Sequence, residues 1–226
     1  MRSIIIGVLL LFPTLGFTQF EHSEFYLVGR YGFGMGMNSY TYFSNLEGTS
    51  GSTPSTIPID LGSGMIPEIG VGLKITDFFY FESSVFYSKS EDFYSTTSSA
   101  GSTEQGYSFN RYAILLNAKY YVPVNEKFVM DFYGGMSITI PEELIVKMGG
   151  YTETIRYSGS NGVQTGFAGN YIFGSVAASL GIRYRLERFT IKDNQELPND
   201  FETLNPSFEK ISSSGIDVVI SVLYNF

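Results

Sequence analysis

GIDVVISVLYNF, residues Gly215 to Phe226, is the stretch that decides the fold. Every second residue back from its end gives Phe226, Tyr224, Val222, Ile220, Val218 and Ile216, all apolar or aromatic. The other set, Asn225, Leu223, Ser221, Val219, Asp217 and Gly215, is mixed and polar. A strand turns alternate side chains to opposite faces, so one face here is continuously apolar and the other tolerates water. A strand of a soluble sandwich reads the same way in isolation. The rest of the chain repeats the pattern, and the repetition decides.

Composition sets the bounds. The 226 residues suffice for one or two soluble domains or one mid-sized barrel. With 17 Tyr and 20 Phe but only 16% charged residues, the chain fits a membrane surface better than a watery one. The absence of Cys excludes disulfides and thiolate metal sites. A net charge of −8 argues against nucleic acid as a partner. Residues 1–18 read as a cleaved export signal: Arg2 gives the positive start, an apolar run follows, and Gly16 and Thr18 precede a cut before Gln19. That run is too short to span a bilayer as a helix, which takes about 20 residues. Residues 19–226 then form a single domain.

Alternation marks eight candidate strands, at 24–37, 64–75, 78–88, 107–122, 127–140, 169–185, 188–192 and 215–226. Pro141 is expected to stop the fifth, having no N–H for a ladder. In the sixth, Ile172, Val176, Ala178, Leu180, Ile182 and Tyr184 are read as facing out, and Phe173, Ser175, Ser179, Arg183 and Arg185 as facing in. The connections alternate long and short, the rhythm of an up-and-down barrel with both ends on one side. Residues 38–63 and 89–106 read as polar loops, and 151–157 as a possible hairpin extension. Charge decides which face is inside. Arg30, Glu68, Lys74, Glu82, Arg111, Lys119, Asp131, Arg183, Arg185 and Asp217 share one face, and the opposite face carries essentially no mid-strand charge. A lipocalin-like barrel would put its apolar face inside; charge inside and none outside suits a bilayer. Aromatics fall in two bands, with Phe25, Phe79, Tyr120, Phe128, Tyr184, Phe189, Tyr224 and Phe226 at one edge and Tyr87, Tyr107 and Tyr171 at the other.

Alternation, loop rhythm and the Tyr-Asn-Phe end together resemble the small bacterial outer-membrane β-barrel family, of the OmpA/OmpX-like kind found in Bacteroidota, over residues 20–226. The resemblance implies an all-β, eight-stranded antiparallel up-and-down transmembrane β-barrel in the cell outer membrane, in contact with outer-membrane lipids. It also implies that the last strand, with Tyr224 and Phe226, is read by the barrel assembly machinery. It identifies an architecture rather than an activity.

The ten lumenal charges, six basic and four acidic, are expected to staple the interior, since an eight-stranded barrel is just wide enough to be filled by side chains. A narrow ion path is the alternative. The run Gly32-Phe33-Gly34-Met35-Gly36 lacks the Lys and helix of a phosphate loop and reads as inward glycines beside bulky neighbours. His22 stands before the first strand, at the expected periplasmic end and so at the wrong end for surface lipid A, and reads as a solvated residue of the N-terminal stub. Asp193, Glu196, Asp200, Glu202 and Glu209 lack EF-hand spacing and read as a solvated loop. No catalytic, cofactor or metal residue is assigned. The expectation is a non-enzymatic barrel with a structural or surface-interaction role, presenting its loops to an extracellular ligand or an outer-membrane protein complex. The alternatives are a channel or transport component or accessory subunit, and then a lipid-modifying enzyme.

Overall fold

The computed structural model describes residues 24–44, 55–98, 101–148, 151–192 and 208–226. Its strands are β1 (Phe25–Gly36), β2 (Ser39–Ser44), β3 (Ser55–Asp60), β4 (Gly64–Thr76), β5 (Phe79–Ser98), β6 (Gly101–Pro123), β7 (Phe128–Met148), β8 (Tyr151–Arg156), β9 (Ser160–Phe173), β10 (Val176–Leu186), β11 (Arg188–Thr190), β12 (Lys210–Ser212) and β13 (Gly215–Asn225). Eight of them, β1, β4, β5, β6, β7, β9, β10 and β13, pair antiparallel in that order, and β13 returns to β1 from Tyr26↔Asn225 to Gly36↔Gly215. The ring is closed, so no edge along it is left to seek a partner. The end of the chain lies in this seam: Phe226 N donates to Phe25 O at 3.3 Å, and the Phe226 ring sits 5.2 Å from Phe25 and 4.9 Å from Tyr224.

Short turns at 77–78, 124–127 and 174–175 share one end of the barrel with the start of β1 and the end of β13. At the other end the strands run on. β5, β6 and β7 have 20, 23 and 21 residues, against the roughly 9–11 that cross a bilayer. The segments expected as loops at 38–63 and 89–106 therefore carry hairpins of their own. β2 pairs with β3, and β5 with β6 out to Ser98↔Gly101. β8 pairs with the far end of β7, extending that hairpin as the sequence suggests.

Three expectations about the strands and their ends fail. The segment 169–185 is two strands rather than one: Gly174 takes a left-handed φ of 65° and turns the chain between Phe173 and Val176. Ile172 therefore packs inward, while Phe173 faces out at 62% exposure and does not fill the lumen. Tyr171 moves to the short-turn end, and Tyr184, paired with Ile216, to the other. The segment 188–192 is accordingly not a barrel strand; β11 pairs with β12 beyond the barrel, and Phe189 is buried there. Finally, Pro141 does not end β7. The ladder slips one residue beside it, with Glu142 and Glu143 bulging opposite Asn110, so a residue without an N–H is tolerated.

Facing is otherwise regular. Ile69, Val85, Ile114, Met136, Leu180 and Val222 are exposed on the outer wall, while Glu68, Phe86, Ala113, Ser137, Ser179 and Ser221 are buried inside. Outward charge is confined to the two rims, with Asp77 at the short-turn end and Lys89 and Glu142 at the other. Rings pair along both rims, Phe79 with Tyr120 at 6.2 Å and Tyr87 with Tyr112 at 5.0 Å. Tyr107 belongs to neither band, because it is buried inside. An apolar wall between aromatic rims is a surface for hydrocarbon, not water.

Candidate functional site: the filled lumen and its outer crown

At the short-turn end, Tyr26, Tyr80 and Tyr121 converge with Val28, Val129, Ala177 and Leu223. Ring centroids are 5.8 Å apart for Tyr26–Tyr80 and 4.7 Å for Tyr80–Tyr121. Gly72 makes this plug possible, since a Cβ there would lie 2.0 Å from the Tyr26 ring.

Above the plug, acids and bases alternate in an unbroken chain. Lys119 Nζ lies 3.2 Å from Asp131 and 3.1 Å from Glu82, and Arg30 joins Glu82 at 2.5 Å to Glu68 at 2.6 Å. Arg183 carries the chain on from Glu68 at 2.5 Å to Asp217 at 2.8 Å. Arg185 grips Asp217 at 2.7 Å and reaches Glu187 at 3.5 Å, and Arg111 ends the chain 3.3 Å from Glu187. Hydroxyls supply further bonds: Tyr26 and Ser84 donate to Glu82 and Glu68 at 2.7 Å each, and Ser213 and Thr139 to Glu187 at 2.8 and 3.0 Å. Arg111 Nη1 donates to the carbonyl of Leu61 at 2.6 Å. The guanidinium groups of Arg111 and Arg183 stand 6.0 and 5.8 Å from the Phe86 ring.

Nine of the ten charges singled out in the sequence thus meet, and Lys74 does not. It turns to the rim and pairs with Asp77 at 2.8 Å. That hydrogen bond and the lysine's charge hold the Asp77 carboxyl below the usual carboxylate range. Glu187 takes its place in the chain. The sequence reading ended the strand at Arg185, yet the alternation of Arg183 and Arg185 continues to 187 on the same face. The count becomes five bases to five acids, with every internal member between two opposite charges.

Beyond the charges, the outer hairpins bury an apolar cluster. It includes Ile57, Ile59 and Leu61 from the β3 side, Tyr107 and Phe109 of β6, Leu144 and Val146 of β7, Tyr157, and Phe189, Phe208 and Ile211. Phe109 meets Phe189 at 5.8 Å, and Tyr157 donates to the carbonyl of Phe208 at 3.1 Å. Of these, Ile57, Ile59 and Leu61 fall in the expected polar loop 38–63, whereas Tyr107, Phe109 and Phe189 fall in expected strands. The spacing of Ile57, Ile59 and Leu61 at every second position, with Thr56, Pro58, Asp60 and Gly62 between and around them, was the available signal. The chain after β3 crosses the mouth of the barrel closely, since a Cβ at Gly34 would lie 2.7 Å from Gly62 O. The glycine run of β1 is therefore a place of close packing in a strand.

Two cavities in the short-turn half measure about 10 and 20 Å³, room for single waters. Among the described residues, no group of three His, Asp or Glu side chains could hold a metal ion. The signal at 1–18, His22, and Asp193, Glu196, Asp200 and Glu202 lie outside the described residues. Glu209 is exposed just before β12.

Closed ring, apolar wall and charged, filled interior together define a class: the small eight-stranded barrel that crosses a membrane with strands. No family model matches the chain, and no curated protein matches it. Solved structures do. Neisserial surface protein A shares 16% identity and a TM-score of 0.50, over 90% of this chain and 98% of that one. The outer membrane protein OprG from Pseudomonas aeruginosa shares 10% identity and a TM-score of 0.56, over 91% and 97%. At such identities the likeness is one of fold.

Proposed function

We propose that this chain is a non-enzymatic outer-membrane β-barrel of the OmpA/OmpX-like kind, a closed post that holds a folded crown at the cell surface for contact with other molecules. One observation carries the reading: the lumen is occluded three times over, by tyrosines, by ion pairs and by the apolar cluster under the outer hairpins. Among the described residues, the acids and bases of the lumen are buried and committed to one another, which supports a structural use of these charges rather than a chemical one. A fold shared with Neisserial surface protein A and the outer membrane protein OprG supports the location. Within this reading, residues 1–18 direct export, Tyr224 and Phe226 are read by the barrel assembly machinery, and the partner is an extracellular ligand or an outer-membrane complex.

The competing reading, a channel or transport component, needs a continuous path, and the tyrosines, the ion pairs and the apolar cluster stand across it in turn. Purified protein in planar bilayers is expected to show no stable conductance. A large, steady current would replace the post with a channel.

A further inference from the structure

On β10 the outward side chains run Leu180, Ile182, Tyr184, Leu186. The alternation passes through buried Glu187 without a break, and the next outward residues are Arg188, Thr190 and Lys192. The outer line therefore changes from apolar to cationic within two residues, roughly 7 Å of strand, where the apolar wall ends. Two neighbours widen the cationic part. Lys210 stands across from Thr190 on β12, and Lys192 N donates to the carbonyl of Arg156 at 2.9 Å, beside the Tyr157–Ile191 bridge.

Arg156, Arg188, Lys192 and Lys210 are all exposed on the side facing away from the buried cluster. Arg156 pairs with Glu143 at 2.7 Å. Among the described residues, Arg188, Lys192 and Lys210 form no ion pair. Across the β11–β12 pair, Arg188 faces Ser212 and Lys210 faces Thr190, so neither has an acid opposite it, on a chain whose net charge is −8. A face that gathers three exposed cations suits an anion. Its height, directly above a wall made for hydrocarbon, says what carries the anion.

We propose that this face binds the phosphate of an anionic lipid headgroup, whose acyl chains lie on the apolar wall of β10 below. The assignment rests on that wall facing lipid. Arg188 supplies forked N–H donors suited to phosphate, and Lys192 and Lys210 supply point charges.

The test is to refold the barrel into phosphatidylcholine vesicles with and without phosphatidylglycerol, extract it gently, and weigh the retained lipid by native mass spectrometry. Phosphatidylglycerol should be retained in preference to phosphatidylcholine. The triple variant Arg188→Gln/Lys192→Gln/Lys210→Gln should hold it on the order of a hundredfold more weakly. Equal retention of both lipids, or a variant that behaves as wild type because the acidic 193–202 segment already serves these cations, would overturn the proposal. Complete displacement by inorganic phosphate would also overturn it, moving the site from lipid to free phosphate. Heat-modifiable gel mobility separates the failures: an inserted barrel without preference sinks this assignment alone, and one that never inserts sinks the lipid-facing wall with it.

Discussion

At the scale of single residues, position along the ion chain matters more than charge itself. Glu187 stands between Arg185 and Arg111 and is nearly the sole anionic support of a fully buried Arg111. Glu187→Gln should therefore cost about 3–5 kcal/mol in unfolding free energy, the price of an uncompensated buried charge. Arg111 is the free end of the chain, and two of its nitrogens, Nε and Nη2, donate no hydrogen bond to the protein. Arg111→Met removes it while Glu187 keeps Arg185, Ser213 and Thr139. That variant should be much milder, or neutral. Urea titrations followed by heat-modifiable mobility give both numbers; equal costs would mean that the chain does not end at Arg111. Most members of this chain were legible, because Arg30, Glu82 or Asp217 on an otherwise apolar strand must face inward. Their pairing was not legible, since it depends on how far neighbouring strands are staggered.

At the scale of elements, the sequence yields the barrel and misplaces two strands, and Gly174 explains why. A two-residue turn between Phe173 and Val176 hardly interrupts the apolar run from Tyr171 to Ala178, so periodicity alone bridges it. Only the reversal of facing, with Ile172 in and Phe173 out, betrays the turn. The closing strand β13 was plain from the start, and its end bears on assembly. Deleting Phe226 removes one ladder bond and two ring contacts, with each ring pair worth about 0.5–1.5 kcal/mol. Refolding into vesicles should therefore stay near wild type. If the assembly machinery reads this residue, the folded yield in cells should nevertheless fall several-fold, seen as loss of the heat-modifiable band. Equal losses in both settings would reduce Phe226 to a stabilising contact, and no loss in cells would remove its assembly role.

At the scale of the whole molecule, one sheet serves two solvents. Along the wall the apolar side chains face out and the charges in. Past Lys89 on β5 and Glu142 on β7 the rule inverts: Glu91, Glu104, Glu143 and Arg156 face water, and Phe109, Leu144 and Val146 are buried. The crown is thus stabilised as a soluble domain is, by burying apolar area, and the barrel beneath it by closure and ion pairs. The two parts should fail separately. Phe208 is fully buried, contacts the Tyr40 and Tyr42 rings at 5.7 Å each, and accepts the Tyr157 hydroxyl through its carbonyl. Phe208→Ala should cost the crown about 3–5 kcal/mol, more than a few crossed hairpins can lose and stay packed. The segment from β11 to β12 should then be cut by protease in intact vesicles, while the barrel keeps its heat-modifiable mobility. The lumen should also stay shut, because the tyrosine plug and the ion chain lie below the damage. Limited proteolysis and conductance measured on the same preparation decide it. Unchanged protease resistance would show that the cluster does not hold the crown, and loss of the folded band together with cleavage would show that crown and barrel form a single cooperative unit.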